Sequence, residues 1–176
     1  MQIETPRLLL RPMRAEDAPQ LYAYASQPQV GPPAGWKPHE SLAETQRVMR
    51  EVFLGKDNVF AIVLRETGEL IGSIGLTEDP RRRNQRACMI GYAIAVTRWG
   101  MGFATEAAEA ALRYAFSETD AEIVTAYTYL FNERSQHVLE ACGFTREGVL
   151  RRCEKRYDGI VFDCVSYSLL RSEYRI

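Results

Sequence analysis

The sequence predicts a mixed α/β fold in a single domain over residues 1–176, and three observations carry that prediction. Apolar, β-branched-rich runs alternate with stretches whose apolar residues recur at helical spacing. They follow the order strand, two helices, a meander of three strands, helix, strand, helix and a closing hairpin. Hydrophobic residues make up 46% of the chain and charged residues 26%, so a packed core is expected rather than disorder.

Each element has its own signal. Leu8, Leu9 and Leu10, framed by Arg7 and Arg11, read as the first strand. Ala18, Leu21, Tyr22 and Ala25 recur at helical spacing. Between about 27 and 38 the pattern stops, and Pro28, Gly31, Pro32, Pro33, Gly35 and Pro38 mark a loop. Loops held by a rigid scaffold often carry specificity. Ser41-Leu42-Ala43-Glu44 is a capping-box pattern opening a second helix, with Val48, Met49, Val52 and Phe53 expected on one face. Runs 59–64 and 70–76 form a hairpin about Thr67-Gly68-Glu69. A polar turn with Arg81, Arg82, Arg83 and Arg86 leads to a strand at about 87–96. There Cys88, Ile90, Tyr92 and Ile94 alternate with Met89, Gly91, Ala93 and Ala95, and the small second set implies close packing on that face. An Ala-rich helix follows, with Ala107, Ala108, Ala111, Leu112, Ala115 and Phe116 as its buried stripe. A strand at 123–129 precedes a short helix from about Ser135 to a C-cap at Gly143. Two last strands flank Asp158-Gly159, a strong hairpin signal.

Several function classes are excluded. Formal net charge is -1, with 22 Lys+Arg against 23 Asp+Glu, so no global basic field exists to hold nucleic acid. Cys88, Cys142, Cys153 and Cys164 form no C-x-x-C pair, and His39 and His137 complete no metal-ligand spacing. Free thiols in a reducing compartment are expected. No charged-then-apolar leader and no apolar run of about 18 residues appears, so a soluble cytoplasmic protein without membrane contact is expected.

The chemistry sits where a strand meets a Gly-rich turn and a helix. Gly100, Met101, Gly102, Phe103, Ala104 and Thr105 span that turn and the helix start. A helix N-terminus offers unpaired N–H groups and the positive end of its dipole, and glycine lets backbone approach an anion. The turn is thus a cradle for phosphate oxygens, or simply a tight strand-to-helix connection. No G-K-[ST] follows and no third glycine completes a dinucleotide fingerprint, which excludes both of those sites.

Ile90-Gly91-Tyr92-Ala93-Ile94 followed by Trp99-Gly100-Met101-Gly102-Phe103-Ala104-Thr105-Glu106-Ala107 resembles the acetyl-CoA motif of GNAT acetyltransferases. The branch that acetylates ribosomal-protein N-termini is more similar still. Asn132-Glu133-Arg134-Ser135 with Gly143-Phe144 matches its N-x-x-S…G-F pattern, and Thr5 to Pro12 matches its opening strand. The resemblance implies a mostly antiparallel sheet, flanked by helices and splayed between two parallel strands, with the cosubstrate's pantetheine arm in the gap. It implies that Ile94, Ala95 and Val96 offer backbone groups to pantetheine and that amides from Gly100 to Thr105 bind pyrophosphate. Trp99 stands where the family commonly has Gln or Arg, so only backbone contacts are expected there.

The reaction so implied moves an acetyl group from acetyl-CoA to an amine, on a protein N-terminus or a small molecule. A backbone N–H near Ile94 or Ala95 would stabilise the developing oxyanion. Leu139 replaces the tyrosine many members use to protonate the leaving thiolate, and Ser135 holds the place where the closest branch has a serine. Ser135 is equally readable as a helix N-cap. Asn132 is a contact for the CoA arm or a turn residue. Met89 replaces a common glutamate, which leaves the base open. His39 is a candidate base or substrate contact, or packs with Trp36 and Pro38 to hold its loop; His137 reads as a surface residue. Glu106 favours the helix dipole, and Asp163 meets a cationic substrate or sits at an exposed edge. The arginine cluster binds an acidic partner or the CoA ribose phosphate, or is a solvated turn. A non-catalytic acyl-CoA-binding module is the competing reading, favoured by Met89 and Leu139. The C-terminal strand offers an edge for a homodimer.

Overall fold

Residues 1–175 are described by a computed structural model. Strands β1 (Ile3–Glu4) and β2 (Leu8–Pro12) precede helices α1 (Ala18–Ala25) and α2 (Leu42–Val48). The meander is β3 (Val59–Leu64), β4 (Leu70–Glu78) and β5 (Ala87–Ile94). Then come α3 (Phe103–Glu118), β6 (Ile123–Tyr129), α4 (Glu133–Ala141) and the hairpin β7 (Thr145–Lys155) and β8 (Val161–Leu170). The eight strands form one sheet in the order β1-β2-β3-β4-β5-β6-β8-β7. Every neighbouring pair is antiparallel except β5 and β6. That parallel pair is joined only from Ala87↔Ile123 to Met89↔Thr125, after which the two strands part.

Strand alternation divides the core between the two sheet faces. Ile62, Ile71 and Ile74 pack with α3 and with Leu139 of α4. Ala61, Val63 and Leu70 pack with α1 and with Met49. The predicted α3 stripe is buried, and Ala107, Ala108, Ala110 and Ala111 have no exposed surface, so small side chains bring this helix close to the sheet. Gly72 gives similar close approach between strands. A Cβ there would lie 2.2 Å from the Ala93 carbonyl oxygen and 3.1 Å from the Ile94 Cα. Both neighbours are backbone atoms, so the clash cannot be relieved by a rotamer change. Gly72→Ala should therefore lower unfolding free energy by about 1–3 kcal/mol, read from the urea midpoint.

Four details depart from the sequence reading. Met49–Phe53 forms a single π turn, closed by Leu54 N–H donating to the Met49 carbonyl (2.8 Å). The wider turn rotates Val52 outward to 48% exposure, off the face it was expected to share. Helix α4 begins at Glu133, with Asn132 rather than Ser135 as N-cap: the Asn132 Oδ1 accepts from Ser135 N–H (3.3 Å). β8 lies between β6 and β7, so the C-terminal strand offers no free edge; β1 and β7 are the edges. The arginine turn is neither wholly solvated nor a free basic patch. Arg81 pairs with Glu154 (2.5 Å), Arg82 with Glu147 (2.6 Å) and Arg86 with Glu122, while Arg83 is exposed.

Candidate active site

The parting of β5 and β6 opens a cavity of about 710 Å3 between the start of α3, the start of α4 and the loop after α1. At one end, Gly100 and Gly102 adopt φ of 76° and 77°, conformations that let the chain turn from strand into helix. Gly102 is the N-cap of α3, so the first-turn amides have no intrahelical acceptor. Gly100, Gly102, Phe103, Ala104 and Thr105 all line the cavity, giving its wall the donors and positive dipole end that suit a phosphate. Met101 points away: it does not line the cavity, and its carbonyl accepts from Arg7 Nη1 (2.8 Å).

Arg7 and Thr5 hold this turn from the other end of the chain. Glu106, in the first turn of α3, accepts from Thr5 Oγ1 (2.6 Å), Arg7 N–H (2.9 Å) and Arg7 Nε (2.6 Å). The Arg7 guanidinium also lies 4.4 Å from the centre of the Phe103 ring. Burial alone would raise the Glu106 carboxyl; the Thr5 and Arg7 hydrogen bonds outweigh it and hold the group below its usual value.

The backbone beside the gap is less open than expected. Ala95 N–H donates to the Ile71 carbonyl (2.7 Å) and Val96 N–H to Gln27 Oε1 (3.2 Å). Neither amide is free. Backbone direction alternates along a strand, so Ile94 turns its N–H and carbonyl the other way, into the gap. The Ile94 carbonyl accepts from Trp99 Nε1 (2.8 Å), a side-chain contact the sequence did not suggest. The Arg134 guanidinium lies over that indole, 4.3 Å from its centre.

Across the gap stands Ser135, at the third position of α4. Its Oγ is 3.0 Å from the Tyr92 hydroxyl, which also donates to the Ser135 carbonyl (3.2 Å). Burial pushes the Tyr92 phenol far above its ordinary value, so it stays protonated at neutral pH. Asn132 donates through Nδ2 to the Pro33 carbonyl (3.2 Å), tying α4 to the loop. Leu139 is 1% exposed and belongs to the core.

Ser135, Asn132, Ile94, Gly100 and Phe103 to Thr105 thus share one cavity; His39 does not. Its ring is buried, with Nδ1 2.8 Å from Thr45 Oγ1 and Trp36 5.5 Å away centre to centre. Burial lowers its pKa and keeps it neutral. His137 is exposed at the cavity wall. Asp163 is absent from that wall; it accepts from Arg152 N–H (2.7 Å) at a bulge where Arg152 has φ 49°. Glu154 is the one carboxylate on the wall among the described residues. Cys164 is its one thiol, and burial pushes that group up to about 12, so it is no nucleophile at neutral pH. Tyr92 stood inside a quoted motif, but its serine partner is 43 positions away. Glu154 and Tyr129 carried no local signal. Among the described residues no group of three or more His, Cys, Asp or Glu could hold a metal, and no helix is long and apolar enough to cross a membrane.

Residues 7–145 match a family model described as an acetyltransferase (GNAT) domain. The uncharacterized N-acetyltransferase p20 of Bacillus licheniformis is 33% identical over 174 residues, 97% of this chain and 96% of that protein. A GNAT-family acetyltransferase from Bacillus anthracis superposes with a TM-score of 0.85 at 25% identity, covering 98% of this chain and all of its own, 100%. The ribosomal-protein-S5-alanine acetyltransferase of Vibrio fischeri shares the fold, with a TM-score of 0.76 at 21% identity and 100% coverage of both chains.

Proposed function

We propose that this chain, which belongs to the GNAT acetyltransferase family, transfers an acetyl group from acetyl-CoA to a primary amine by direct attack within a ternary complex. The observation that carries the reading is the continuous cavity between the parted strands. It runs from free helix amides at one end to a hydroxyl pair and a carboxylate at the other. The residues fit acetyl-CoA: first-turn amides of α3 suit a pyrophosphate, and the gap beside β5 suits an extended arm. When bound, acetyl-CoA supplies the thioester carbonyl and a thiolate leaving group.

The chain's own groups divide the remaining work. Phe103, Ala104 and Thr105 amides, with Gly100 and Gly102, bind the phosphates. Arg134 adds a positive charge beside them. Ile94 N–H is the backbone donor for the carbonyl oxygen as negative charge grows. Ser135 Oγ, bonded to the protonated Tyr92 hydroxyl, supplies the proton or hydrogen bond for the departing sulfur. Glu154 takes the proton from the attacking amine, directly or through water. Cys164 stays a thiol, which favours direct attack over an acyl-cysteine route. His39 holds the loop rather than acting as base. The acceptor amine belongs to a protein N-terminus or to a small molecule, and the reaction runs in the cytoplasm.

Calorimetric titration with acetyl-CoA, paired with thiol release over a panel of amines and peptides, tests this. Stoichiometric binding with amine-dependent thiol release is the expected result. Binding without release for any amine would leave a non-catalytic acyl-CoA-binding module. Absence of binding would reduce the Gly100–Gly102 turn to a plain connection.

A further inference from the structure

The acceptor end of the cavity carries a polar atom that nothing in the protein satisfies. Tyr129, the last residue of β6, is 4% exposed and lines the cavity, yet its hydroxyl has no hydrogen-bond partner among the described residues. Burial raises its pKa, so it remains a phenol able to donate. Buried hydroxyls are seldom left unpaired, because desolvation without a partner is unfavourable. Space for a partner is kept by Gly35 in the loop across from it. A Cβ there would come within 3.3 Å of the Tyr129 oxygen, and Gly35 φ is 92°.

The surroundings limit what that partner belongs to. Tyr129 stacks on Phe131 (5.2 Å, 22°) and tilts against Phe162 (4.9 Å), and Phe131 meets Phe162 edge-on (5.5 Å). Phe131 is 52% exposed, so the aromatic surface continues from the cavity wall to solvent. Charge on the wall is sparse and leans positive. Among the described residues Glu154 is the one carboxylate and is paired with Arg81; Arg98, itself paired with Glu69, and Arg134 also line the cavity. A molecule with several ammonium groups would find no second carboxylate to pair with.

We infer that Tyr129 forms an acceptor subsite, and that the substrate is a mono-amine on an apolar body bearing a second group that hydrogen-bonds the Tyr129 hydroxyl. Polyamines are excluded. This rests on the acetyl-transfer reading and names its substrate class. A carbonyl next to a peptide's free amine and a hydroxyl of a small amino alcohol share the required chemistry.

Thiol release with acetyl-CoA should be measured on the wild-type protein and Tyr129→Phe. The panel holds an apolar dipeptide amide, an apolar amino alcohol, an alkylamine of similar size and spermidine. In the wild type, one of the first two should have the highest kcat/KM, and which one identifies the source. Tyr129→Phe should raise KM for that acceptor about tenfold, several-fold more than for the alkylamine, with KM for acetyl-CoA kept. Spermidine as the best substrate, or an equal effect of Tyr129→Phe on all amines, would overturn the subsite while leaving acetyl transfer standing. No release from any amine would overturn both.

Discussion

Ser135→Ala should lower kcat by roughly a hundredfold while KM for acetyl-CoA stays within about twofold, measured by thiol release at saturating amine. Ser135 Oγ is 3.0 Å from a buried, protonated Tyr92 hydroxyl and lies on the cavity wall. A proton or hydrogen bond delivered to the leaving sulfur is felt in the transition state rather than in the ground state, so its loss belongs to kcat. The substitution is also structurally mild. Asn132, not the Ser135 side chain, caps α4 by accepting the Ser135 backbone N–H. Only the bond to Tyr92 is lost, worth about 1 kcal/mol of stability. A mutant that binds acetyl-CoA normally and turns over at the wild-type rate would remove Ser135 from the chemistry.

Asp17→Ala should destabilise the fold by about 3–5 kcal/mol, read from the shift in urea midpoint. Arg11 and Asp17 are 7% and 3% exposed and form a bidentate pair, with Nη1 to Oδ2 at 2.7 Å and Nη2 to Oδ1 at 2.8 Å. Asp17 also accepts from Arg14 N–H (2.7 Å) at the turn into α1. Truncation strands a guanidinium away from water beside β2. The charge of this pair also sets an acid limit. Burial would raise the Asp17 carboxyl, but Arg11 and the Arg14 amide outweigh it and hold the pKa below its usual value. Glu106 is depressed in the same way by Thr5 and Arg7. A depressed carboxylate stabilises the folded state above its unfolded pKa, about 4, and that contribution disappears as pH falls through the lower folded value. The urea midpoint should thus fall steeply below about pH 4, and Asp17→Ala should flatten that acid slope.

The legible parts of this molecule are those in which neighbours along the chain decide the outcome. The Asp158-Gly159 hairpin, the alanine stripe of α3 and the glycines at its start were readable because turn chemistry and helical period are local. The order of elements followed from the same signals, and the quoted motifs pointed to the family. Where a local rule was applied to a non-local question it failed. Ser135 was readable as an N-cap as well as a proton donor, yet Asn132 takes the cap. Asp163 was readable as a contact for a cationic substrate or as an edge residue, but β8 is inserted between β6 and β7, and the carboxylate holds the Arg152 amide. His39 was readable as a base or as a packed loop residue, and only α2, through Thr45, shows the ring packed. The amides of Ala95 and Val96 are held by Ile71 and Gln27, groups from β4 and the loop after α1.

By itself, then, the sequence determined the elements, the glycine turn into α3 and the family resemblance. Tertiary structure alone decided that β5 and β6 part after Met89, that Tyr92 meets Ser135, and that Glu154 and Tyr129 reach one cavity. The reason is that periodicity records which side of an element is buried, not which distant segment covers it. That choice is made when sheet order is set, through contacts such as Arg7 to Glu106, 99 positions apart.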